Sequence, residues 1–431
     1  MPLLGTRGAA SARGFGMFGA RTFPNWIGTL TAGSNIYGGS AVADSSGNIY
    51  VTGSNGTGGT TLYFQKLNST GVIQFQKQLQ TFADGVDIAI DTASNLYIAN
   101  NEGSSNGIGV IKYDSSGTLQ WQRKLVPAYN PNRTQGIAVD SSNNVYVVGT
   151  VVTTSGGRND LFLAKYNSSG SLQWQRLINA ASNNTTGSSI QVSSSGNVYV
   201  AGTAVPSSNF DMFVAKYDTS GTIQWQRSID NSSSYDQGRS LAIDSSENVY
   251  VVGGTAFNAF VVTKLNTSGT LQWSRTLSAT NADPCGSAVD SAGNVYLLGM
   301  NYVGPNQCIL AKYNTSGTIQ WQRSFTDIFF TSAVFNRLKI TSSGSVLFVM
   351  AATVSTRDSQ VVALVPSDGS KTGTYTIGSL STTYAASSLT DAAGSFTATA
   401  SSLTTSTPSL TDSATSLTES NTSFTQTTTL I

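Results

Sequence analysis

The sequence contains no histidine and only two cysteines among its 431 residues. Without histidine the chain lacks the commonest general base and the commonest protein ligand of transition metals. Cys285 and Cys308 each stand alone, so they do not form the paired spacing of a metal site, although the two thiols could join in a disulfide. These absences predict a protein that is not an enzyme and that holds no metal and no other cofactor.

Charge and long apolar runs are also scarce. Charged residues make up 10% of the chain and the formal net charge is +1, which argues against a nucleic-acid groove or a polybasic membrane surface. No run of about 18 apolar residues occurs, so no membrane span is predicted. The opening, MPLLGTRGAASARGFGMFGA, has no continuous apolar stretch and is not typical of a signal peptide. We expect residues 1–23 to form a Gly/Ala/Arg-rich arm.

The sequence is rich in one repeated phrase, approximately AVDSSGNVYVVGT…FVAKYNSSGTLQWQRSL. Its copies recur at about 46 to 53 residues, the length of a four-stranded propeller blade. The first landmark is a tyrosine after an Asn turn, replaced by leucine in a seventh copy: Tyr50, Tyr97, Tyr146, Tyr199, Tyr250, Tyr296 and Leu347. The second landmark is the aromatic residue of the LQW phrase: Phe75, Trp121, Trp174, Trp225, Trp273 and Trp321.

Each copy is predicted to form four strands, a to d, joined by short polar turns. In the fifth copy these strands are expected at 240–244, 248–253, 260–265 and 270–277. The turns DSSEN and NTSG contain residues that tolerate left-handed conformations and bond their own backbone. A calcium loop is the alternative for DSSGN, but it offers one Asp where calcium needs several oxygen ligands. The repeated Trp is expected to pack between sheets, its alternative being a stacking platform.

The two ends of the repeat region complement each other. An orphan strand, NWIGTL with Trp26, precedes the first copy by about one repeat length. The seventh copy has strands at 338–341, 345–349 and 360–365 but no Trp strand after them. Pairing the Trp26 strand with 360–365 would close the ring and cover an exposed edge. The sequence therefore predicts an all-β fold, a seven-bladed β-propeller over residues 24–377 closed by its N-terminal strand.

The Ser/Thr-rich tail is expected at residues 378–431, and within it residues 388–431 follow a seven-residue period. Each heptad brings one large apolar residue: Leu389, Phe396, Leu403, Leu410, Leu417, Phe424 and Ile431. Ser and Thr are poor helix formers, the second seam of a coiled coil is missing, and a continuous strand would flip successive apolar residues between faces. Short strands with a turn or bulge per heptad, or disorder, are the remaining alternatives. One apolar residue per heptad cannot offset the cost of ordering, so we expect partner strands from other copies.

The YNSSGTLQWQRSL phrase resembles the SBBP-type β-propeller repeat of secreted bacterial and phage proteins, over roughly residues 39–370. It also resembles pyrroloquinoline-quinone-type propellers, whose blades carry a phrase like Gly269-Thr270-Leu271-Gln272-Trp273. That second resemblance implies a quinone pocket, a metal and acidic catalytic residues, none of which can be placed in this sequence. The opening residues are similar to those of marine-phage structural proteins.

Propeller geometry places the a–b and c–d turns on one face and the b–c and d–a loops on the other. The turns are nearly constant between copies and the loops vary, and variable loops on a fixed scaffold usually carry binding. The candidate ligand contacts, which suit sugars or protein surfaces, are Tyr129, Arg133, Arg158, Asp160, Phe210, Tyr235, Arg239, Tyr302 and Phe330. For each of them the alternative is that the side chain folds its own loop.

Three functions fit these patterns. The first is a non-enzymatic structural and adhesive protein of a bacteriophage virion, either a tail fibre or a capsid-attached appendage. Its arm and tail would contact other copies and other virion proteins, and its loops a host-surface glycan or protein. The second is a bacterial extracellular or surface binding protein able to form filaments. The third is a quinoprotein-like or polysaccharide-cleaving propeller enzyme, although no carboxylate pair recurs at a site. Neither nucleic acid nor membrane insertion is expected.

Overall fold

A computed structural model describes residues 25–31, 36–37, 39–55, 61–80, 83–102, 107–127, 129–179, 183–205, 209–230, 235–255, 259–302, 304, 306–326, 329–332, 337–354, 357–377, 380–393, 397–400, 404–406, 411–414, 418–421 and 425–430. In these ranges the regular elements are β-strands. They form seven antiparallel sheets in a ring, in which the innermost strand of each sheet contacts that of the next. The prediction of an all-β, seven-bladed propeller is confirmed.

We number the blades in chain order and their strands a to d from the axis outward. Blade 1 consists of Ile36–Tyr37 with Ala41–Ala43, Ile49–Asn55, Thr61–Leu67 and Ile73–Gln80. Blade 2 consists of Ala83–Ile90, Leu96–Glu102, Gly107–Tyr113 and Leu119–Val126. Blade 3 consists of Tyr129–Val139, Val145–Val152, Asn159–Tyr166 and Leu172–Asn179. Blade 4 consists of Thr185–Val192, Val198–Ala204, Asp211–Tyr217 and Ile223–Asp230.

The remaining blades follow the same plan. Blade 5 consists of Asp236–Ile243, Val249–Thr255, Ala259–Leu265 and Leu271–Ser278. Blade 6 consists of Ala282–Val289, Val295–Asn301, Gln307–Tyr313 and Ile319–Thr326. Blade 7 consists of Phe329–Ser332 with Leu338–Ile340, then Val346–Val354, Arg357–Val365 and, as strand d, Trp26–Thr31.

The central strands form the core because their side chains are apolar on both faces. All eight residues of Val145–Val152 are buried, as expected of a strand packed between two neighbouring sheets. At the start of this strand Tyr146 donates a hydrogen bond to Asp140 at 2.9 Å. Asp140 also accepts the backbone N–H groups of Ser142 and Asn144. The DSSGN-type turn is therefore an Asx turn that fixes the tyrosine, as its sequence predicted.

The N-terminal strand closes the ring. Trp26–Thr31 pairs antiparallel with Arg357–Val365 in a register that aligns Trp26 with Leu364. Trp26 is fully buried and its indole N–H donates to the carbonyl of Ser69 in blade 1 at 3.2 Å. The predicted closure is confirmed, and the closing strand contacts both blade 7 and blade 1.

After blade 7 the chain turns back and adds an outer strand e to every blade. We call these seven strands the belt. In chain order they are Leu380–Ala386 on blade 6, Asp391–Ala393 on blade 5, Thr397–Ala400 on blade 4, Thr404–Ser406 on blade 3, Thr411–Ala414 on blade 2, Thr418–Asn421 on blade 1 and Thr425–Leu430 on blade 7. Each pairs antiparallel with a strand d. A further strand, Gly373–Ile377, forms a hairpin with the first of them.

The predicted short strands are confirmed, but their partners differ from the expectation. The sequence suggested partner strands from other copies, whereas the structure pairs the belt with the chain's own blades. The seven-residue period fits because each heptad supplies one short strand and one link to the next blade, so the apolar side chain need not alternate between faces. Contacts of the tail with other chains stay a prediction.

The heptad side chains are described only at the first position. Leu389 is half-buried and packs against the apolar cluster between blades 5 and 6. The other apolar heptad residues, Phe396, Leu403, Leu410, Leu417, Phe424 and Ile431, lie outside the described residues, as does the predicted arm at 1–23.

Arg337 of blade 7 reaches across the axis of the ring. Its guanidinium donates to the carbonyl of Ser188 in blade 4 at 3.0 Å and to that of Gln135 in blade 3. Its Nε lies 4.0 Å from a carboxylate oxygen of Asp87 in blade 2. Since Arg337 is buried, one side chain ties four blades together at the centre.

The two cysteines are free thiols buried in one apolar cluster between blades 6 and 7, so the disulfide that the sequence allowed is not formed. Among the residues described above, no helix has the length and apolar character needed to cross a membrane.

Candidate functional site

The face formed by the a–b and c–d turns, here the turn face, uses its repeated polar side chains to join neighbouring blades. In blade 2 the ammonium of Lys112 and the indole N–H of Trp121 both donate to the carbonyl of Ser168 in blade 3, at 3.2 and 3.1 Å. Arg123 donates to the carbonyl of Gly170 in the same turn. Equivalent contacts recur around the ring. The expectation that the repeated Trp packs between sheets is confirmed.

The opposite face, here the loop face, is the one that varies. Five of the residues predicted as loop contacts lie in strands: Tyr129, Arg133, Asp160, Arg239 and Phe330. Strand a of blade 5 begins at Asp236 rather than at 240, because a bulge between Gly238 and Ser240 lets the pairing with strand b continue. A residue that the sequence assigns to a loop can thus lie in a strand at the rim of the propeller.

The ring brings three of the predicted residues together at blades 4 to 6. Phe210 and Tyr235 form an aromatic pair whose ring centroids lie 4.2 Å apart. The backbone N–H of Asp236 donates to the carbonyl of Phe210 at 2.9 Å, which fixes the start of blade 5 against blade 4. Arg239 forms an ion pair with Asp283 of blade 6 at 3.6 Å.

Four carboxylates surround these residues and were missed from the sequence. We define the blade 4–6 cluster as Phe210, Asp211, Asp230, Tyr235, Asp236, Gln237, Arg239 and Asp283. It contains four carboxylates and one guanidinium. The signal available in the sequence was the succession of an aromatic residue and Asp in two consecutive variable loops, NFDM and YDQG. That pattern indicated a shared site only once the ring had placed the two loops side by side.

Asp211 has the most unusual environment of the cluster. Its side chain is buried, and within the described residues it has neither a hydrogen-bond partner nor an ion-pair partner. Burial, followed by the charges of Asp230 and Asp236, raises the pKa of Asp211 to about 6. Burial also raises the pKa of Asp283, and the nearby charge of Arg239 opposes that shift. Carboxylates with perturbed pKa values cluster at functional sites, which makes this position a candidate.

A shallow depression opens beside the aromatic pair. It measures about 200 Å³ when the solvent at its mouth is included, and its lining is Tyr235, Gln237, Gly254, Ala282, Asp283 and Pro284. Tyr235, Gln237 and Asp283 contribute an aromatic ring, an amide and a carboxylate to its lining.

Two other predicted residues form a self-contained pair in blade 3. Arg158 lies 3.0 Å from a carboxylate oxygen of Asp160, which is fully buried. Asp160 also accepts a hydrogen bond from Thr153. These contacts fold the b–c loop of blade 3 onto its own strand, which is the structural alternative considered for them.

The remaining predicted residues are scattered. Tyr129 and Arg133 are exposed on strand a of blade 3, Tyr129 with 41% of its surface accessible. Tyr302 is half-buried against the apolar cluster between blades 6 and 7. The backbone of Phe330 pairs with Ala352 in blade 7, and the Phe330 side chain lies outside the described residues.

Comparison with known families agrees with the blade geometry. Residues 173–204 match the family model of the β-propeller repeat. This match spans about one repeat of the seven-bladed propeller. Residues 211–421 of the propeller also match a family described as outer membrane protein assembly factor BamB, over just under half of the chain. No curated protein matches the sequence.

Solved structures similar to this propeller are distant. A polysaccharide lyase, Uly1, is 9% identical with a TM-score of 0.46, covering 77% of this chain and 90% of its own. A Bacteroides caccae protein of unknown function is 14% identical with a TM-score of 0.41, covering 69% and 93%. The gluconolactonase XC5397 from Xanthomonas campestris is 13% identical with a TM-score of 0.37, covering 67% and 90%. Likeness at this level does not bear on the activity of the propeller.

Proposed function

We propose that this propeller is a non-enzymatic structural and adhesive protein that binds a surface glycan or protein through its loop face. The observation that carries the proposal is the division of polar residues between the two faces. On the turn face the repeated Lys, Trp and Arg side chains join neighbouring blades. On the loop face three of the non-repeated residues predicted as contacts, Phe210, Tyr235 and Arg239, belong to the blade 4–6 cluster beside an open depression. The blade 4–6 cluster belongs to one part of the ring and is not part of the repeated phrase, as expected of a dedicated binding surface.

The setting we propose is a bacteriophage virion, as part of a tail fibre or a capsid-attached appendage. Two features support it. The opening residues are similar to those of marine-phage structural proteins, and the belt pairs every outer strand, which protects the sheet edges of a protein that works in an assembly. The arm and the tail are the proposed contacts with other copies and other virion proteins. A bacterial extracellular or surface binding protein is the alternative setting.

Binding through the loop face is tested with the purified full chain and two matched variants. Retention on intact candidate host cells and on a glycan array is measured for the unmodified chain, Tyr235→Ala and Tyr129→Ala. Tyr129 is the control because it is an exposed aromatic residue on the same face but in blade 3. We expect Tyr235→Ala to weaken retention at least tenfold and Tyr129→Ala to leave it unchanged. Equal effects, or no retention of the unmodified chain, would refute the site.

Two further measurements test the setting and the absence of catalysis. Mass spectrometry should detect the protein in purified phage particles; its recovery only from bacterial surfaces or culture fluid would select the alternative. Polysaccharide or lactone turnover by the purified chain, abolished by Asp211→Asn, would replace the proposal with an enzymatic one.

A further inference from the structure

We infer that the carboxylates between blades 4 and 5 bind the ammonium group of a ligand. The three carboxylates are Asp211, Asp230 and Asp236, of which Asp211 directly follows Phe210 and Asp236 directly follows Tyr235 of the aromatic pair. The inference deepens the proposed function by naming the chemistry that the blade 4–6 cluster recognises.

The first step compares Asp211 with its counterpart in blade 3. Asp160 and Asp211 hold the same position in strand c, because Val151 pairs with Asp160 as Ala204 pairs with Asp211. Both carboxylates are buried. In blade 3 the charge is compensated internally by Arg158, 3.0 Å away. Blade 4 keeps the buried carboxylate and lacks the cation, and a buried charge without compensation is costly.

The second step concerns the surroundings of Asp211. Burial raises the pKa of Asp211, and the negative charges of Asp230, at the end of strand d, and of Asp236, at the start of the next blade, raise it further. The backbone hydrogen bond from Asp236 to Phe210 holds the two blades together at this point. A cation entering from the loop face would therefore take the place that Arg158 occupies in blade 3.

The third step selects the kind of cation. The described ranges contain no group of three or more acidic or cysteine side chains placed to hold a metal ion. The aromatic residues that precede Asp211 and Asp236 in the sequence, Phe210 and Tyr235, have ring centroids 4.2 Å apart. Carboxylates together with aromatic faces are the groups that bind organic ammonium ions, by charged hydrogen bonds and by cation–π attraction. A lysine side chain of a protein and an amino sugar of a glycan both present this group.

The cluster also makes binding depend on pH. The charged groups that act on Asp211 are Asp230 on strand d of its own blade and Asp236 on strand a of blade 5. With a pKa of about 6, Asp211 is ionised at pH 8 and protonated at pH 5. Because a cation binds the ionised form, protons compete with it and affinity falls as the pH drops below 6.

The test measures ammonium binding by calorimetry or by NMR titration at pH 7, where both ammonium probes are mostly protonated and Asp211 is mostly ionised, and at pH 5. The probes are Nα-acetyl-lysine methylamide and glucosamine, each with a neutral counterpart, Nα-acetyl-norleucine methylamide and N-acetylglucosamine. The two ammonium probes distinguish a protein source from a glycan source. We expect at least one of them to bind at pH 7, at least tenfold more tightly than its neutral counterpart and at least fivefold more tightly than at pH 5.

Three variants localise the effect. Asp211→Asn removes the charge, and Asn209→Arg places an internal guanidinium two residues before Asp211, as Arg158 stands before Asp160. Both should weaken ammonium binding at least tenfold while the chain stays folded. The control is Asp218→Asn in the same blade, where Asn167 and Asn266 fill the same turn position in blades 3 and 5. It should leave binding unchanged.

Several outcomes would overturn the inference: no ammonium binding, equal binding of the neutral probes, unchanged binding by both Asp211→Asn and Asn209→Arg, or calcium binding that depends on Asp211 in place of ammonium binding. Failure of the proposed function is distinguishable. If the unmodified chain is retained on its surface and Asp211→Asn is retained equally, only this inference fails. If ammonium binding depends on Asp211 and no surface is bound, only the proposed function fails.

Discussion

At the scale of single residues, Glu247 shows how one copy of the repeat compensates for a change in its neighbour. It has a φ of 58°, in a turn position that glycine holds elsewhere, as at Gly293 with a φ of 80°. A left-handed conformation costs about 1–2 kcal/mol for a residue with a side chain. Blade 4 has Ser193 where blades 1, 2, 3, 5 and 6 have Asp. The carboxylate of Glu247 replaces the missing Asp by accepting a hydrogen bond from the hydroxyl of Tyr199 at 2.7 Å.

Further contacts make this carboxylate strongly acidic. Lys216 of blade 4 lies 3.0 Å from it. Burial alone would raise the pKa of Glu247, but hydrogen bonds from Ser195, Tyr199 and Lys216 outweigh that effect and hold the pKa far below its usual range. A depressed pKa means that the contribution to stability is present above about pH 4.5, the ordinary value, and is lost as the pH falls below it.

We expect Glu247→Gly to lower the free energy of unfolding at pH 7 by about 1–2 kcal/mol, since the lost charged hydrogen bonds exceed the relieved backbone strain. Adding Ser193→Asp to that variant should restore most of the lost stability. Ser193→Asp in the unmodified chain should not raise the stability, because two carboxylates would then compete for the hydroxyl of Tyr199. Denaturant unfolding of the four proteins gives the coupling directly. Additive effects would show that Glu247 does not stand in for the missing Asp.

Asp211 should oppose folding in the absence of ligand. Its pKa is raised to about 6 from an ordinary 3.8, so the folded state loses stability as the pH rises through this interval. We expect Asp211→Asn to stabilise the protein by about 1–3 kcal/mol at pH 8 and by almost nothing at pH 4. Thermal unfolding at the two pH values measures this. A variant that is less stable at pH 8 would mean that the carboxylate is a structural acceptor.

At the scale of the element, the contact between strand d and the next blade is what unites the seven sheets. The indole N–H of Trp225 donates to the carbonyl of Thr267 at 3.0 Å. Its ring lies against Gly269, where an added Cβ would come within 3.0 Å of ring atoms, and the guanidinium carbon of Arg227 lies 5.6 Å from the ring centroid. Only glycine admits so close an approach at this turn.

We expect Trp225→Ala to lower the free energy of unfolding by about 2–4 kcal/mol, somewhat less than for a fully buried aromatic residue because Trp225 is half-buried. Trp225→Phe should cost about 1 kcal/mol, chiefly the lost hydrogen bond, as blade 1 already has Phe75 at this position. Loop-face binding should survive in both variants. A folded Trp225→Ala protein with undiminished stability but no binding would mark the turn face as the functional one.

Strand order and blade number could be predicted from the sequence because each depends on local patterns that repeat. The Asn-turn tyrosines and the LQW phrase indicate seven copies, and the orphan Trp26 strand indicates the closure. The belt's partners could not be predicted in this way, since a period of seven residues sets the length of a strand but not the edge that receives it. The cluster around Asp211 was hidden for a related reason: it depends on which variable loops the ring places side by side.

At the scale of the whole molecule, both ends of the chain close the ring. The N-terminal strand Trp26–Thr31 lies between strand c of blade 7 and the last belt strand, with Trp26 aligned to Leu364 on one side and to Leu430 on the other. The belt passes around all seven blades before it reaches this point. Together with Arg337 at the axis, this arrangement makes the propeller one cooperative scaffold on which the loop face is displayed.

The most direct test of this account is hydrogen exchange of the full chain, kept dilute and shown to be a monomer by light scattering. Backbone amides of the belt strands, such as Thr397–Ala400 and Thr425–Leu430, should be protected in that monomer, because their hydrogen bonds come from the chain's own strands d. Exchange of the belt amides at the rate of an unstructured peptide, with protection appearing only when copies assemble, would contradict the account. It would mean that contacts between chains order the tail.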